Sequence, residues 1–365
     1  MLTDDASIGA AAALPPLVMR FGAFGDMVLL TILLRHLHER FGKAVDVISS
    51  GPWTPALLEG QPWMGRLFVI RSRRTPYWMS RDQRRLVSWM RERGAGPTWY
   101  CDRDLGIDLL KRGGVPDDYI CDSRAFEWRP DEGFADRYIR LGNESPAAFA
   151  GRLPPPLPAS SRAAQLLLTD ASRTEAQEWL ARRGLADRPY IVVHPGSRHI
   201  ARRTLRSRAG AEKYWPEARW AQVIKSLRAL RPDHALLLTG TRAERKFNAA
   251  IVDCSGTTDL HNVADELPVR TLLPFLERAH SMISVDTGPA HAAAALGTPT
   301  VALFGPENPT LFRPGGATTR AVTVTGLVNG VQCILGISAD SVIAAWFDLV
   351  RSTEMQLGHS VKSLT

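Results

Sequence analysis

The chain has 365 residues, 45% hydrophobic and 22% charged, and 45 Lys and Arg against 37 Asp and Glu give it a net charge of +8. That length exceeds what one hydrophobic core usually serves, so two domains are expected, and no apolar run reaches the roughly 20 residues that span a bilayer. The positive balance implies an anionic partner, and without a helix-turn-helix, zinc-finger or RNP-like pattern that partner is not expected to be nucleic acid.

The N-terminus, Met1-Leu-Thr-Asp-Asp-Ala-Ser, is acidic where a secretory signal is basic, and Ala10 to Ala13 is too short for its apolar core. A cytoplasmic protein with a mobile leader over residues 1–16 is therefore expected. Leu17-Val-Met-Arg-Phe21 predicts a strand, Gly22-Ala-Phe-Gly25 a turn, and Asp26 the first residue of a helix. Leu30, Leu33, Leu34, Leu37 and Phe41 recur at helical spacing and Gly42 ends the pattern. Ala44 to Ser49 returns as a strand. This turn has no Walker lysine and no full GxGxxG, so it is not a dinucleotide fingerprint. Asp26 fits two roles, a helix cap or a carboxylate that takes a proton from a hydroxyl.

Eight arginines, Arg71, Arg73, Arg74, Arg81, Arg84, Arg85, Arg91 and Arg93, interleave with Tyr77, Trp78, Trp89 and Met90. The pattern suits a solvated helix face, or a surface that meets an amphipathic phosphorylated molecule or an anionic membrane. Asp102-Arg-Asp104 has a spacing that can hold a metal diphosphate, but three-residue patterns arise by chance and it is set aside. Cys101, Cys121, Cys254 and Cys333 lie far apart without metal-site spacing, which predicts free buried thiols.

Leu153-Pro-Pro-Pro-Leu-Pro158 is the strongest linker signal. It divides a first domain, 17–170, from a second, 171–337, with a helix and tail over 338–365. In the second domain Tyr190-Ile-Val-Val-His194 is a strand entering the Pro195-Gly196-Ser197 loop. A second basic cluster follows (Arg198, Arg202, Arg203, Arg206, Arg208). Lys213 then stands just before a helix opened by Pro216, whose inward face is Trp220, Val223, Ile224, Leu227 and Leu230. Lys213 could reach a diphosphate or lie in solvent. Ala235 to Thr239 is the next strand, running into Gly240. Glu244 beyond it could hydrogen-bond a ribose or be an exposed first-turn glutamate. Two alternating series imply two doubly wound α/β domains.

Ile283-Ser-Val-Asp-Thr-Gly-Pro-Ala-His291 reads as a buried strand ending at Asp286, a turn through Thr287 and Gly288, and a helix opening at Pro289; Gly297 closes it and an apolar strand follows. A helix start at the carboxyl end of a parallel strand favours an anion. Pro289 has no N–H, so the donors are expected from Gly288, Ala290 and His291. The alternative is a plain β-α-β corner with Asp286 as its cap. Ser338 to Arg351 gathers Val342, Ile343, Trp346 and Leu349 on one side of a helix able to pack back on the N-terminal domain.

Together, Arg20-Phe-Gly-Ala-Phe-Gly-Asp26, His194-Pro-Gly-Ser197, Lys213-Tyr-Trp-Pro216, Gly240 with Glu244, and Asp286-Thr-Gly-Pro-Ala-His291 through Phe304-Gly-Pro306 resemble glycosyltransferase family 9, the bacterial lipopolysaccharide heptosyltransferases. The resemblance implies a GT-B fold, two Rossmann-like doubly wound domains facing a central cleft, and inverting transfer without metal or other cofactor. It implies an ADP-sugar donor held by Gly196, Ser197, Lys213, Glu244, Asp286, Thr287, Gly288 and His291. The acceptor, an anionic lipopolysaccharide core or other cell-envelope glycan, would meet Gly22, Gly25, Arg71, Arg73 and Arg74, with Asp26 as general base. Peripheral contact with the inner face of the inner membrane follows from the same likeness. An epimerase acting on sugar nucleotides, or a non-catalytic nucleotide-binding scaffold, are the alternatives. The sequence departs from the family pattern in the long basic loop from Arg198 to Glu212 and in residues 71–140, which carry no family motif.

Overall fold

The computed structural model of the chain describes residues 5–103, 106–197, 212–315 and 320–362; Asp104 and the arginine cluster from Arg198 to Arg208 lie outside them. The chain divides into two compact units, Met1–Leu167 and Leu168–Thr365.

The first unit is built on five parallel strands, β1 (Leu17–Arg20), β2 (Val45–Ser50), β3 (Met64–Ile70), β4 (Thr98–Tyr100) and β5 (Ile120–Asp122), in the order β3-β2-β1-β4-β5. Val18 on the central strand is in register with Val47 on one side and Trp99 on the other. Strands so placed are covered by helices on both faces, which is why β1, β2 and β4 are buried along their length rather than at alternate residues. The helices are α1 (Asp5–Ala12), α2 (Phe24–Phe41), α3 (Thr54–Leu58), α4 (Arg81–Arg93), α5 (Ile107–Arg112) and α6 (Phe134–Asn143). All five predicted apolar positions of α2 are buried, and Gly42 ends the helix in the left-handed region (φ 62°), donating its N–H to His38 O at 2.8 Å.

The segment expected as a mobile leader is partly folded. In α1, Ile8, Ala11 and Ala12 pack against the N-terminal core, Lys43 Nζ donates to Ala13 O, and Asp5 pairs with Arg152. Alanine loses no side-chain entropy on entering a helix, and Gly96, where a Cβ would come 2.9 Å from Leu14 Cβ, leaves the leader room to lie close. The arginine-rich stretch also divides. In α4, Leu86, Val87 and Met90 face the core, Trp89 lies against Phe68 with ring centroids 5.9 Å apart, and Arg93 forms a buried ion pair with Asp46 at 2.6 Å.

The second unit carries six parallel strands, β6 (Tyr190–His194), β7 (Ala235–Leu238), β8 (Leu260–Asn262), β9 (Ser281–Val285), β10 (Thr300–Leu303) and β11 (Ala321–Val324), in the order β11-β10-β9-β6-β7-β8, and a short hairpin, β12 (Leu327–Val328) and β13 (Val331–Gln332). Its helices are α7 (Asp170–Ala181), α8 (Glu217–Leu230), α9 (Arg245–Ser255), α10 (Val269–Arg278), α11 (Gly288–Ala295), α12 (Pro309–Phe312) and α13 (Ala339–Lys362). Trp220, Val223, Ile224 and Leu227 are buried as predicted, whereas Leu230 is exposed. It lies within about 20° of Val223 around the helix axis, so it is exposed not through its face but as the last residue of α8. Val342, Trp346 and Leu349 of α13 join the C-terminal core, where Trp346 Nε1 donates to Ser281 Oγ at 2.8 Å. The cysteines are free, but only Cys101 is buried, and Cys254, late on α9, is exposed.

In each sheet the strand order reverses once, between β1 and β4 in the first and between β6 and β9 in the second. Ligands of open α/β sheets bind beyond the carboxyl ends of the strands at such a reversal. The turns that the sequence singled out leave from those ends.

Candidate functional site

In the N-terminal unit, β1 and β4 end side by side although 81 residues separate Arg20 from Cys101. The Arg20 guanidinium donates from Nη1 to Cys101 O, and its Nη2 lies 3.5 Å from Asp26 Oδ2. Burial works against its charge, but the negative groups around it, Asp26 and Asp102 among them, outweigh that effect and raise its pKa. The next residue is also clamped: Phe21 N–H donates to Asp102 Oδ2 at 2.7 Å, while Asp102 Oδ1 accepts Arg103 N–H at 2.8 Å. Asp102 thus ties the end of β4 to the turn after β1. The DxD spacing had suggested a different use for it.

Asp26 lies in the first turn of α2 and accepts Ala23 N–H at 2.9 Å. Both this bond and the Arg20 contact fall on Oδ2, and the side chain is 33% exposed, so the carboxylate caps the helix and still faces solvent. Gly22 is needed here because a Cβ would come 2.6 Å from Asp26 Cβ. Gly25 is in the same helical turn. Of the three arginines assigned to the acceptor, Arg73 reaches this turn, donating to Phe21 O at 2.7 Å. Arg71 is 93% exposed beside Asp82, and Arg74 is exposed.

In the C-terminal unit, β9 delivers Asp286 to the start of α11. Lys213 Nζ lies 2.5 Å from Asp286 Oδ2 and donates to Asp286 O at 2.9 Å. His291 Nε2 is 3.4 Å from Asp286 Oδ1, and His291 Nδ1 is buried without a hydrogen-bond partner. Burial opposes the charge on Asp286, yet the His291 hydrogen bond and the Lys213 charge prevail and hold its carboxyl below the usual range. Thr287 Oγ1 is 3.0 Å from Ser284 Oγ. His291 N–H donates to Thr287 O at 3.2 Å, so it is not free for a ligand as the sequence suggested. Gly288 and Ala290 retain the N–H groups that no intrahelical carbonyl can satisfy.

Lys213 is held from behind. Trp215 is fully buried, edge-on to Trp220 at 4.8 Å, and donates its Nε1 to Ile337 O at 3.1 Å. The carbonyl of Glu212, just before the lysine, packs so closely on Gly305 that any Cβ there would collide with it. Gly305 therefore fixes where the lysine's backbone runs. The sequence contained the Phe304-Gly-Pro306 turn, but nothing in its spacing pointed to Glu212.

The third element is the loop after β6. A Cβ on Gly196 would come 2.7 Å from the Glu244 carboxylate, so the Pro195-Gly-Ser loop lies on that side chain. Ser197 is buried. Glu244 is buried too, contrary to the exposed alternative, and its Oε2 accepts both Thr241 N–H at 2.6 Å and Thr241 Oγ1–H at 2.8 Å. Beneath it His194 Nδ1 lies 3.0 Å from Thr239 Oγ1, and burial lowers the His194 pKa against the pull of Glu244. Among the described residues, no group of three or more His, Cys, Asp or Glu is arranged to hold a metal ion.

Residues 143–330, a little over half of the chain, match the model of glycosyltransferase family 9 (heptosyltransferase). Lipopolysaccharide heptosyltransferase 2 of Salmonella typhimurium is 22% identical over 323 residues, covering 83% of this chain and 86% of that one. Among solved structures, the family 9 glycosyl transferase from Veillonella parvula superposes with a TM-score of 0.75 at 18% identity, over 93% of this chain and 98% of that one. The E. coli ADP-heptose lipopolysaccharide heptosyltransferase II gives 0.69 at 20% identity, over 93% and 100%. These likenesses show the GT-B fold.

Proposed function

The chain belongs to glycosyltransferase family 9, the heptosyltransferases, and from that premise we propose that it moves a heptose or related sugar from an ADP-sugar to an anionic lipopolysaccharide-core or other cell-envelope glycan. The observation that carries this reading is the pairing of Lys213 with Asp286 at the start of α11. An ammonium has three N–H donors. Asp286 engages it through two oxygens, and a donor remains for a diphosphate. The Gly288 and Ala290 N–H groups and the helix dipole add to the same positive field. The ADP donor is favoured because the similar E. coli enzyme is an ADP-heptose heptosyltransferase.

The reaction we infer is a single displacement. An acceptor hydroxyl oxygen bonds to the anomeric carbon as the bond from that carbon to the phosphate oxygen breaks, and the electron pair leaves with ADP. The hydroxyl proton passes to Asp26, and the configuration at the anomeric carbon inverts. Lys213 and the helix N–H groups meet the charge that builds on the diphosphate, a task for which no metal is then required. Asp102 and Arg20 keep the Asp26 turn in place, and Arg71, Arg73 and Arg74 supply positive charge for an acidic acceptor. Glu244 lies against the Gly196 loop, and with Gly196 and Ser197 it forms the ribose end of the donor side. Thr287 and His291 complete the donor side, and Gly22 and Gly25 allow the acceptor to come close.

Calorimetric titration with ADP-sugars, UDP-sugars and free ADP tests the donor assignment. Preference for an ADP-sugar is expected, and tighter binding of the UDP-sugar would overturn it.

A further inference from the structure

Residues 71–91 contain seven arginines and a single carboxylate, Asp82. They run from the carboxyl end of β3 into α4, and at the crest of the connecting turn Trp78 is 74% and Met79 58% exposed. The other aromatic side chains of the stretch are held inward: Tyr77 lies beneath the Arg112 guanidinium, 4.7 Å from its ring centroid, and Trp89 is half-buried on Phe68. Trp78 and Met79 are therefore the apolar residues this basic segment leaves in solvent. A lone surface apolar residue needs no explanation. A Trp-Met pair within a ring of exposed arginines does.

The turn is also stiff. Gln83 Nε2 donates to Ser72 O at 3.1 Å and to Thr75 O at 2.9 Å, and Thr75 N–H reaches Ser72 Oγ at 3.2 Å. Met79 and Ser80 donate their N–H groups to Pro76 O at 3.0 and 3.1 Å, Arg84 Nη1 donates to Trp78 O, and Ser80 caps α4. The crest thus presents its two apolar side chains with its neighbouring carbonyls already occupied. Backbone groups that enter a low-polarity layer must be satisfied within the protein, and the carbonyls of Ser72, Thr75, Pro76 and Trp78 already are.

We propose that the Trp78-Met79 crest and the arginines around it form a docking surface for an anionic lipid bilayer. Trp78 and Met79 enter the headgroup and upper acyl region, where Trp is favoured, while Arg81 and Arg85 stay among anionic headgroups. Each arginine near such a surface strengthens binding roughly five-fold at physiological salt, and the gain is screened as salt rises. The exposed Arg71 and Arg74 add to the same field. Among the described residues no helix is long and apolar enough to cross a membrane, so contact by this route would be peripheral.

The test uses the full chain and vesicles free of any sugar acceptor, so it is independent of the transfer reaction. Cosedimentation is measured with phosphatidylcholine vesicles and with vesicles containing about one third phosphatidylglycerol, at low and high salt. Binding to the anionic vesicles that is lost in high salt is expected, with little on phosphatidylcholine alone. The pair Trp78→Ser with Met79→Ser, and separately the pair Arg81→Gln with Arg85→Gln, should each weaken it about ten-fold or more. Arg182→Gln, on the other unit, should leave it unchanged. ADP release with a water-soluble, deacylated acceptor should be the same in all of these variants. The proposal is overturned if the wild type ignores anionic vesicles, or if the crest variant binds as the wild type does while its thermal unfolding is unaltered.

Discussion

Lys213 and Asp286, 73 residues apart in the chain, meet in the C-terminal unit with Nζ 2.5 Å from Oδ2 and 2.9 Å from the main-chain oxygen. One lysine therefore reads both the side chain and the backbone of the residue that follows β9, and that contact fixes its ammonium beside the first turn of α11. A lysine that only decorated the surface would not be drawn to both oxygens.

Lys213→Met should lower kcat by about 10²–10³, as loss of one preorganised charge on a leaving group typically does. It should also weaken ADP binding in calorimetry. Its effect on unfolding should lie between the ~1 kcal/mol of exposed pairs and the ~3–5 kcal/mol of buried ones, because Asp286 is 8% exposed but Lys213 is 22%. Unchanged ADP affinity in a folded variant would remove Lys213 from the donor site.

Gly196 and Glu244 should couple. Gly196→Ala places a methyl group 2.7 Å from the Glu244 carboxylate and should destabilise by about 1–3 kcal/mol in urea unfolding. In a background of Glu244→Ala, which on its own loses the Thr241 cap, the same substitution should cost much less. Strict additivity in that double-mutant cycle would show that the two do not touch.

Asp102→Asn leaves one acceptor where Phe21 N–H and Arg103 N–H now have two. One amide then faces an NH₂ group, and about 1–3 kcal/mol of stability should be lost. Activity should fall through kcat with little change in KM for the donor, since the turn that carries Asp26 is what loosens. A variant with wild-type unfolding and wild-type kcat would show that this clamp has no bearing on the site.

Acid should weaken the fold before the carboxylates titrate. Burial lowers the His280 pKa, with the neighbouring His234 and Arg231 adding to the effect and Glu354 opposing it. Burial lowers His194 in the same way. The unfolded histidine takes up its proton near pH 6.5 and the folded one only at lower pH. In between, the unfolded state binds more protons and stability falls as pH falls. The urea midpoint should be level above about pH 7 and decline from there toward pH 5, and His280→Gln should flatten part of the slope. A midpoint that holds or rises on acidification would contradict this. The lowered Asp286 pKa has its effect in a different window: its contribution is present above the usual carboxylate pKa and is lost as pH falls through the lower folded value.

Local pattern made the elements legible. The helical stripe after Asp26, the strand leading to Asp286, Pro289 in the first turn of α11 and Gly297 just past its end all follow the spacing and punctuation of the sequence. What was not legible depends on neighbours distant in sequence. The order β3-β2-β1-β4-β5 sets Asp102 against Phe21, and no periodicity spans that interval. Gly305 meets Glu212 for the same kind of reason. For Glu244 the sequence shows a glutamate in a first turn but not the glycine loop lying on it, so its burial is not visible there. The leader's packing is hidden in the same way, because the hollow at Gly96 that receives it lies about 80 residues further along the chain.

The proposed reaction is transfer of a sugar from an ADP-sugar to a separate acceptor, with Asp26 taking the acceptor's proton. The most direct measurement is ADP release on incubation with ADP-heptose and a deep-core lipopolysaccharide acceptor, for the wild type and for Asp26→Ala. ADP should appear only when both substrates are present, and the variant, checked for folding because Asp26 also caps α2, should release it at least about 10²-fold more slowly. Turnover of donor without acceptor, or undiminished release by Asp26→Ala, would contradict the account.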